Sequence, residues 1–268
     1  MTLIPPTTKG LILDMDGVLW TDSAPIGNLP RIFSRIKELD MVVAMATNNS
    51  TRTVDQYVER LRNFGVTVEP WQVITSSLAV AELMKDKLSW GAPVFAIGEL
   101  GLQDVLKNAG FELLSIERAP EAEAVVIGID REISFDKMRE ATLLVRAGKP
   151  FFATNPDRTF PTPRGQIPGA GAWVSVIVTA TDIQPIYAGK PYPYILDLAL
   201  KRLGTNRDVT IVVGDRLETD IAGGQGLDCS TALVLSGVST MAQAEAWVPS
   251  VDIIAESLSA LLGIDDEE

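Results

Sequence analysis

Gly10-Leu11-Ile12-Leu13-Asp14-Met15-Asp16-Gly17 is the stretch on which the rest of the chain turns. Four residues with no charge lead into two acids and a glycine, the pattern of a buried strand entering a turn. Downstream, Leu29 to Leu39 carries helical periodicity, with Pro30 tolerated in a first turn. Met41 to Ala46 is a second apolar run, closed by Thr47-Asn48-Asn49-Ser50. Thr51 to Phe64 has helical spacing and stops at Gly65, and Trp71 to Thr75 is a third short strand candidate. Strand, helix, strand, helix, strand at this spacing predicts a parallel sheet with crossover helices.

The same rhythm restarts in the middle of the chain. Val94 to Ile97, Ala124 to Ile127 and Pro150 to Ala153 read as strands, with Leu100 to Ala109 and Ser134 to Ala147 as helices between them. Ala172 to Ala180 reads as a helix whose Val and Ile content leaves strand open. The last third returns to the first pattern: Tyr194 to Leu203 as helix, Val209 to Val213 as strand, Leu217 to Gly226 as helix, and Thr231 to Leu235 as strand. Val251 to Ile254 is a candidate edge strand before a short terminal helix. The expected architecture is α/β, with a core made of residues 1–78 and 183–268 and a smaller α/β unit inserted at 79–182.

Composition narrows the chemistry. The chain has 268 residues, 23 basic against 35 acidic, for a net charge of −12. Nucleic acids and anionic membranes, which call for basic patches, are not expected partners. An anionic substrate would need a local cation to reverse that field. The one cysteine, Cys229, is expected to be a small buried hydrophobe, and with one cysteine no internal disulfide can form, which suits a reducing compartment. No secretory pattern opens the sequence and no apolar run reaches about 18 residues, so the expectation is a cytoplasmic protein. The acidic end, Ile264 to Glu268, is expected to be a solvated terminus.

There is no histidine. That removes Ser-His-Asp and Cys-His catalysis, His-based zinc sites and phosphohistidine chemistry. A cysteine phosphatase would need an arginine six residues past its nucleophile, where Leu235 stands relative to Cys229. Carboxylates, lysine, hydroxyls and a hard metal ion remain.

Three of the predicted core strands end in polar clusters: Asp14-Met15-Asp16-Gly17, Thr47-Asn48-Asn49, and Gly214-Asp215 with Asp220. Gly189-Lys190-Pro191 follows another brief apolar run. Ligands of open parallel sheets bind beyond the carboxyl ends of the strands. Clustered carboxylates there repel one another unless a cation compensates, and Mg²⁺ favours one or two carboxylates plus water and phosphate. Asp14 and Asp215 could hold such an ion, with Lys190 and Thr47 adding charge and hydrogen bonds for a phosphate.

These motifs, in this order, resemble those of the haloacid dehalogenase-like hydrolases, in the branch of NagD, p-nitrophenylphosphatase and phosphoglycolate phosphatase. The resemblance runs through Asp14 to Trp20, Thr47 to Ser50, Gly189 to Pro191, Gly214 to Asp220 and Leu235 to Ser239. It implies a Rossmann-like core with an inserted C2-type α/β cap, and a Mg²⁺-dependent phosphatase acting on a small phosphorylated metabolite. Asp14 is then the nucleophile that becomes an aspartyl-phosphate, and Asp16 the general acid and base whose backbone carbonyl also faces the metal. Asp215 is the third metal ligand, with Asp220 beside it. Thr47, Asn48 and Asn49 orient the phosphate, and Lys190 pairs with it and with Asp14. At the end of the cap, the stretch around Asn155 faces the active site, which makes Arg158 or Phe160 a contact for the leaving group. A homodimer through the cap is one arrangement the resemblance allows.

Several features have plainer readings. Asp14 and Asp16 are ordinary residues for a turn before Gly17. Gly169-Ala170-Gly171 lacks the third glycine of a dinucleotide fingerprint, Val174 standing in its place, and reads as a helix start. The five tryptophans are expected in core or cap packing. Two rivals remain: a phosphotransferase on the same core, and a binding protein that keeps the fold with little chemistry.

Overall fold

The computed structural model describes residues 2–162 and 164–264, so the acidic run at 265–268 lies outside the described residues. The chain divides into two compact units. The first comprises the chain up to Thr47, Asp55–Ile74 and everything from Lys190 onward; the second comprises Asn48–Val54 and Thr75–Gly189.

The first unit is built on a six-stranded sheet. Its spatial order is Ile253–Ala255, Ser230–Val234, Thr210–Gly214, Gly10–Leu13, Val42–Thr47 and Val73–Thr75. Gly10–Leu13 runs parallel to both neighbours, with Gly10 beside Val42 and Thr210. Strands buried on both faces read as unbroken apolar runs rather than alternations, and Gly10–Leu13 and Thr210–Gly214 are buried throughout. From Gly10–Leu13 the chain steps outward in one direction to Val42 and Val73, and later in the other to Ser230 and Ile253. The order therefore reverses between Gly10–Leu13 and Thr210–Gly214, and at such a reversal the connections leave toward opposite faces and open a crevice. Asp14 and Asp215 directly follow those two strands.

The second unit carries a five-stranded parallel sheet in the order Ile186–Tyr187, Phe151–Ala153, Ala124–Ile127, Pro93–Ile97 and Glu112–Leu113. Phe95, Val125 and Phe151 from its strands pack with Met138 and Val145 of helix Phe135–Arg146 and with Val174 and Ile177 of helix Ala170–Thr181. Ser134 caps the first of these helices by accepting from the Lys137 amide at 3.2 Å. Residue 79 lies inside helix Ser76–Lys85, and Asp182 is the left-handed cap of Ala170–Thr181. Both expected ends of the insertion thus fall within this unit.

Several local expectations need correction. The helix expected over 51–64 begins only at Val54 and ends at Asn63, because the Asn49 side chain accepts from the Thr51 amide and hydroxyl and holds that segment in a turn. The segment expected as one helix over 217–226 is a π-helical turn, Leu217–Ile221, followed by a short α-helix, Ala222–Gly226. Helix Ser76–Lys85 and the hairpins Trp20–Thr21/Ala24–Pro25 and Thr159–Thr162/Gly165–Pro168 were not anticipated. Trp71 and Trp90 are exposed, at 43% and 83%, so packing does not account for them, whereas Trp20 is fully buried. Helix Ala170–Thr181 settles the helix-or-strand ambiguity there, and Gly169 is its N-cap. Cys229 is buried, which pushes its thiol up to about 11. Among the described residues no helix is long and apolar enough to cross a membrane.

Candidate active site

In the first unit the strand ends bring three carboxylates together. One oxygen each from Asp14, Asp215 and Asp220 lie within 4.8 Å of one another. Asp14 follows Leu13, and its amide donates to the Val213 carbonyl at 2.8 Å, which ties it to the neighbouring strand end. Asp215 follows Gly214; its Oδ2 accepts from the Val238 amide at 2.7 Å, and its carbonyl accepts from the Ser239 amide at 3.0 Å. Asp220 is delivered by the π-helical turn, a widened form common beside functional groups, and its Oδ2 accepts from the Arg216 amide at 3.2 Å.

One buried cation bridges two of these acids. Lys190 is 2% exposed; its Nζ lies 2.5 Å from Asp14 Oδ1 and 2.6 Å from Asp220 Oδ1, and it donates to the Ala46 carbonyl at 2.7 Å. Three carboxylates against one ammonium leave two negative charges in a poorly solvated place. The ionisation of the group responds accordingly. Burial, opposed by Lys190 and reinforced by Asp220 and Asp215, holds the Asp14 carboxyl well above the usual range. Burial and the Asp220 charge push Asp215 up to about 6, against the pull of the Val238 amide. Burial disfavours the Lys190 ammonium, but Asp14 and Asp220 outweigh it and keep the ammonium charged.

Glycine is demanded at two points around Asp215. Gly17 sits at φ +86°, and a Cβ there would meet the Asp215 carboxylate; a Cβ on Gly237 would overlap the same group. The backbone thus closes tightly on Asp215 from two loops, and the Ser236 hydroxyl ties them by donating to the Gly17 carbonyl at 2.7 Å.

The Asp16 carboxylate is not one of the three clustered acids. Its Oδ1 accepts from Trp20 Nε1 at 2.9 Å. Thr47, at the end of Val42–Thr47, is buried in the same unit. A divalent ion fits this donor set: its charge matches the two unbalanced negatives, and it would favour the ionised form of Asp14, which burial disfavours.

The remaining expected residues belong to the second unit. Asn48 Nδ2 donates to both carboxylate oxygens of Asp157, at 3.2 and 3.1 Å. Asn155, also buried, donates to the Asn48 carbonyl at 2.7 Å and accepts from the Asp157 amide at 3.1 Å. Ser76 Oγ donates to the same Asn48 carbonyl at 2.6 Å. Asn49 Oδ1 accepts from the Thr51 amide and hydroxyl. Arg158 is exposed and Phe160 partly buried, near and on the first strand of the Thr159–Thr162 hairpin. Sequence reasoning named Arg158 and Phe160 but passed over Asp157, whose carboxylate fixes the Asn48 amide. Asn155-Pro156-Asp157 signals a turn, and no spacing rule links it to a residue 109 positions away.

Known proteins agree with this geometry. The profile of the haloacid dehalogenase-like hydrolases matches residues 11–112, and a second profile, of HAD-hydrolase-like proteins, matches 187–261. The acid sugar phosphatase of Staphylococcus aureus is 36% identical over 233 residues, 87% of this chain and 88% of its own length. Among solved structures, p-nitrophenyl phosphatase from Archaeoglobus fulgidus superposes with a TM-score of 0.88 at 34% identity, covering 96% of this chain and 98% of its own. NagD from E. coli K-12 gives 0.86 at 30%, covering 99% and 100%. Glycerol phosphate phosphatase from Mycobacterium tuberculosis, in complex with magnesium, gives 0.87 at 31%, covering 95% of this chain and 76% of its own. The chain belongs to the haloacid dehalogenase-like hydrolases, in the branch that holds NagD and the p-nitrophenyl phosphatases.

Proposed function

We propose that this chain is a Mg²⁺-dependent phosphatase that hydrolyses a small-molecule phosphomonoester through an aspartyl-phosphate on Asp14. Hydrolysis of phosphoric monoesters is the activity of its kin; the ion, the intermediate and the roles of single residues are our inference. The observation that carries it is the trio of carboxylates at the switch point of the sheet, with one buried lysine among them. Such a site repels a phosphate dianion on its own, and with a divalent ion it becomes a place where one carboxylate can meet that dianion.

Asp14 and Asp215, with the backbone carbonyl of Asp16, would hold the ion, whose chemistry here is to neutralise charge on both nucleophile and phosphate. A carboxylate oxygen of Asp14 attacks phosphorus as the bond from phosphorus to the alcohol oxygen breaks. Asp16 gives its proton to that oxygen. It then takes a proton from water, whose oxygen attacks the same phosphorus and releases inorganic phosphate with Asp14 restored. Lys190 steadies the charge that collects on the equatorial oxygens, and Asp220 keeps the Lys190 ammonium in place at 2.6 Å. Thr47, Asn48 and Asn49 are assigned to phosphate orientation. The second unit, with Asn155, Arg158 and Phe160, is assigned the choice of substrate.

Purified protein should hydrolyse p-nitrophenyl phosphate with Mg²⁺ and lose that activity in excess chelator. Activity indifferent to chelator, or none with the metal present, contradicts the proposal.

A further inference from the structure

We infer that Trp20 is a positioning residue for the general acid. The inference rests on the role just assigned to Asp16. Trp20 is fully buried, which bulk alone would explain, but its one polar atom is aimed. Indole Nε1 donates to Asp16 Oδ1 at 2.9 Å across a tight turn. That turn is fixed on both sides: the Gly17 amide donates to the Trp20 carbonyl at 2.8 Å, and the Met15 carbonyl accepts from the Leu19 amide at 2.8 Å.

The indole itself is clamped. Its ring stacks on Tyr57, with centroids 6.4 Å apart and planes 12° apart, and Phe64 lies tilted beside it at 6.0 Å. The Arg60 guanidinium sits 4.1 Å above the ring, and Arg60 also donates to the Asp22 carbonyl. A cation over an indole face draws electron density from the ring and strengthens its N–H as a donor. Helix Val54–Asn63, which supplies Tyr57 and Arg60, thereby acts on Asp16 through the indole.

An indole N–H can only donate, so Asp16 Oδ1 is fixed as the acceptor and the proton for the leaving alcohol is carried on Oδ2. Without the indole N–H, Oδ1 can carry the proton instead, on the oxygen that Trp20 otherwise occupies. Catalytic geometry tolerates displacements of only about 0.5 Å. Losing the tether should therefore slow esters that need the proton and spare those that do not.

The test is a ratio of two substrates. Glycerol phosphate has an alkoxide leaving group that must be protonated; p-nitrophenolate leaves without much help. The ratio of their kcat/KM values isolates the steps up to alcohol release, and it cancels any loss of active fraction. Asp16→Asn should cut the rate on glycerol phosphate far more than on p-nitrophenyl phosphate. Trp20→Phe should act in the same direction, lowering kcat/KM for glycerol phosphate roughly 10- to 100-fold and that for p-nitrophenyl phosphate less than about 3-fold. If Trp20→Phe fails to fold, β-(3-benzothienyl)alanine at position 20 keeps the shape, removes the N–H, and is read in the same way. A selective effect of Asp16→Asn with equal effects of the position-20 variant on both substrates overturns the positioning role alone. No selectivity in Asp16→Asn overturns the general-acid assignment, and the role of Trp20 with it.

Discussion

The two parallel sheets of this chain end in opposite kinds of electrostatics. Beyond two strands of the second unit an acid has a cation of its own. Glu99, after Pro93–Ile97, pairs with Arg131, and buried Asp130, after Ala124–Ile127, pairs with Lys137 at 2.7 Å. Asn155, after Phe151–Ala153, is neutral and hydrogen-bonded on both sides of its amide. Beyond the strands of the first unit Asp14, Asp215 and Asp220 crowd together, and one buried lysine bridges two of them. Balanced ends are what folding alone asks for. An unbalanced end costs stability, persists when the imbalance is used, and a charge deficit of two beside a sheet switch point invites a divalent ion.

The largest expected effect breaks the imbalance at its centre. Asp14→Asn should lower turnover by roughly 10⁴-fold or more, since it removes the carboxylate that forms the acyl phosphate. Its thermal midpoint in chelator should be unchanged or higher, because a carboxyl that burial disfavours has been removed. Lys190→Met comes next. It leaves buried carboxylates without their cation and should cost on the order of 3–5 kcal/mol at neutral pH, read from denaturant unfolding without metal, together with most of the activity.

A third prediction concerns protons. The Asp215 carboxyl sits at about 6 in the fold against 3.8 for the free group, so the folded state holds more protons between those values. Its contribution to stability is therefore present below about pH 4 and is lost as pH rises through about 6. In chelator, unfolding free energy should fall from this group by on the order of 2–3 kcal/mol across that window. Saturating Mg²⁺ should flatten the slope, because a bound ion keeps the carboxylate ionised on both sides of it. A metal-independent slope would remove the ion from the cluster. The smallest effect belongs to the balanced sheet: Glu99→Gln, whose partner Arg131 is 71% exposed, should change stability by less than about 1 kcal/mol. A loss as large as that of Lys190→Met would erase the contrast between the two ends.

Much of this was legible in the residues themselves. Buried parallel strands announce themselves as short apolar runs, and Gly10–Leu13, Pro93–Ile97, Ala124–Ile127 and Thr210–Gly214 all do. The polar clusters that close them mark the loops where a ligand belongs. Helix Ser76–Lys85 stayed hidden because seven of its ten residues are buried, which erases the one-sided stripe that periodicity detects. The Thr159–Thr162 hairpin was masked by Pro161 and Pro168, residues that a strand tolerates only at an edge. Helical spacing over 217–226 cannot reveal one wide turn, yet that turn is what presents Asp220. Spacing alone does not reach side-chain pairings across the fold: Lys190 with Asp14, 176 positions away, was expected only from the family resemblance, and Asp157 with Asn48 depends on how loops close. Trp20 and Asp16, four residues apart, were close enough to suspect, but the direction of an indole N–H is decided by Tyr57, Phe64 and Arg60.

Acid quench of the enzyme during turnover, borohydride reduction of any acyl phosphate, and mass spectrometry of the peptides would reach the central claim most directly. Reduction of a phosphorylated aspartate yields homoserine, which should appear at position 14, only when substrate is present, and never in Asp14→Asn protein. Homoserine at another aspartate, or sustained turnover by Asp14→Asn protein, would contradict the account.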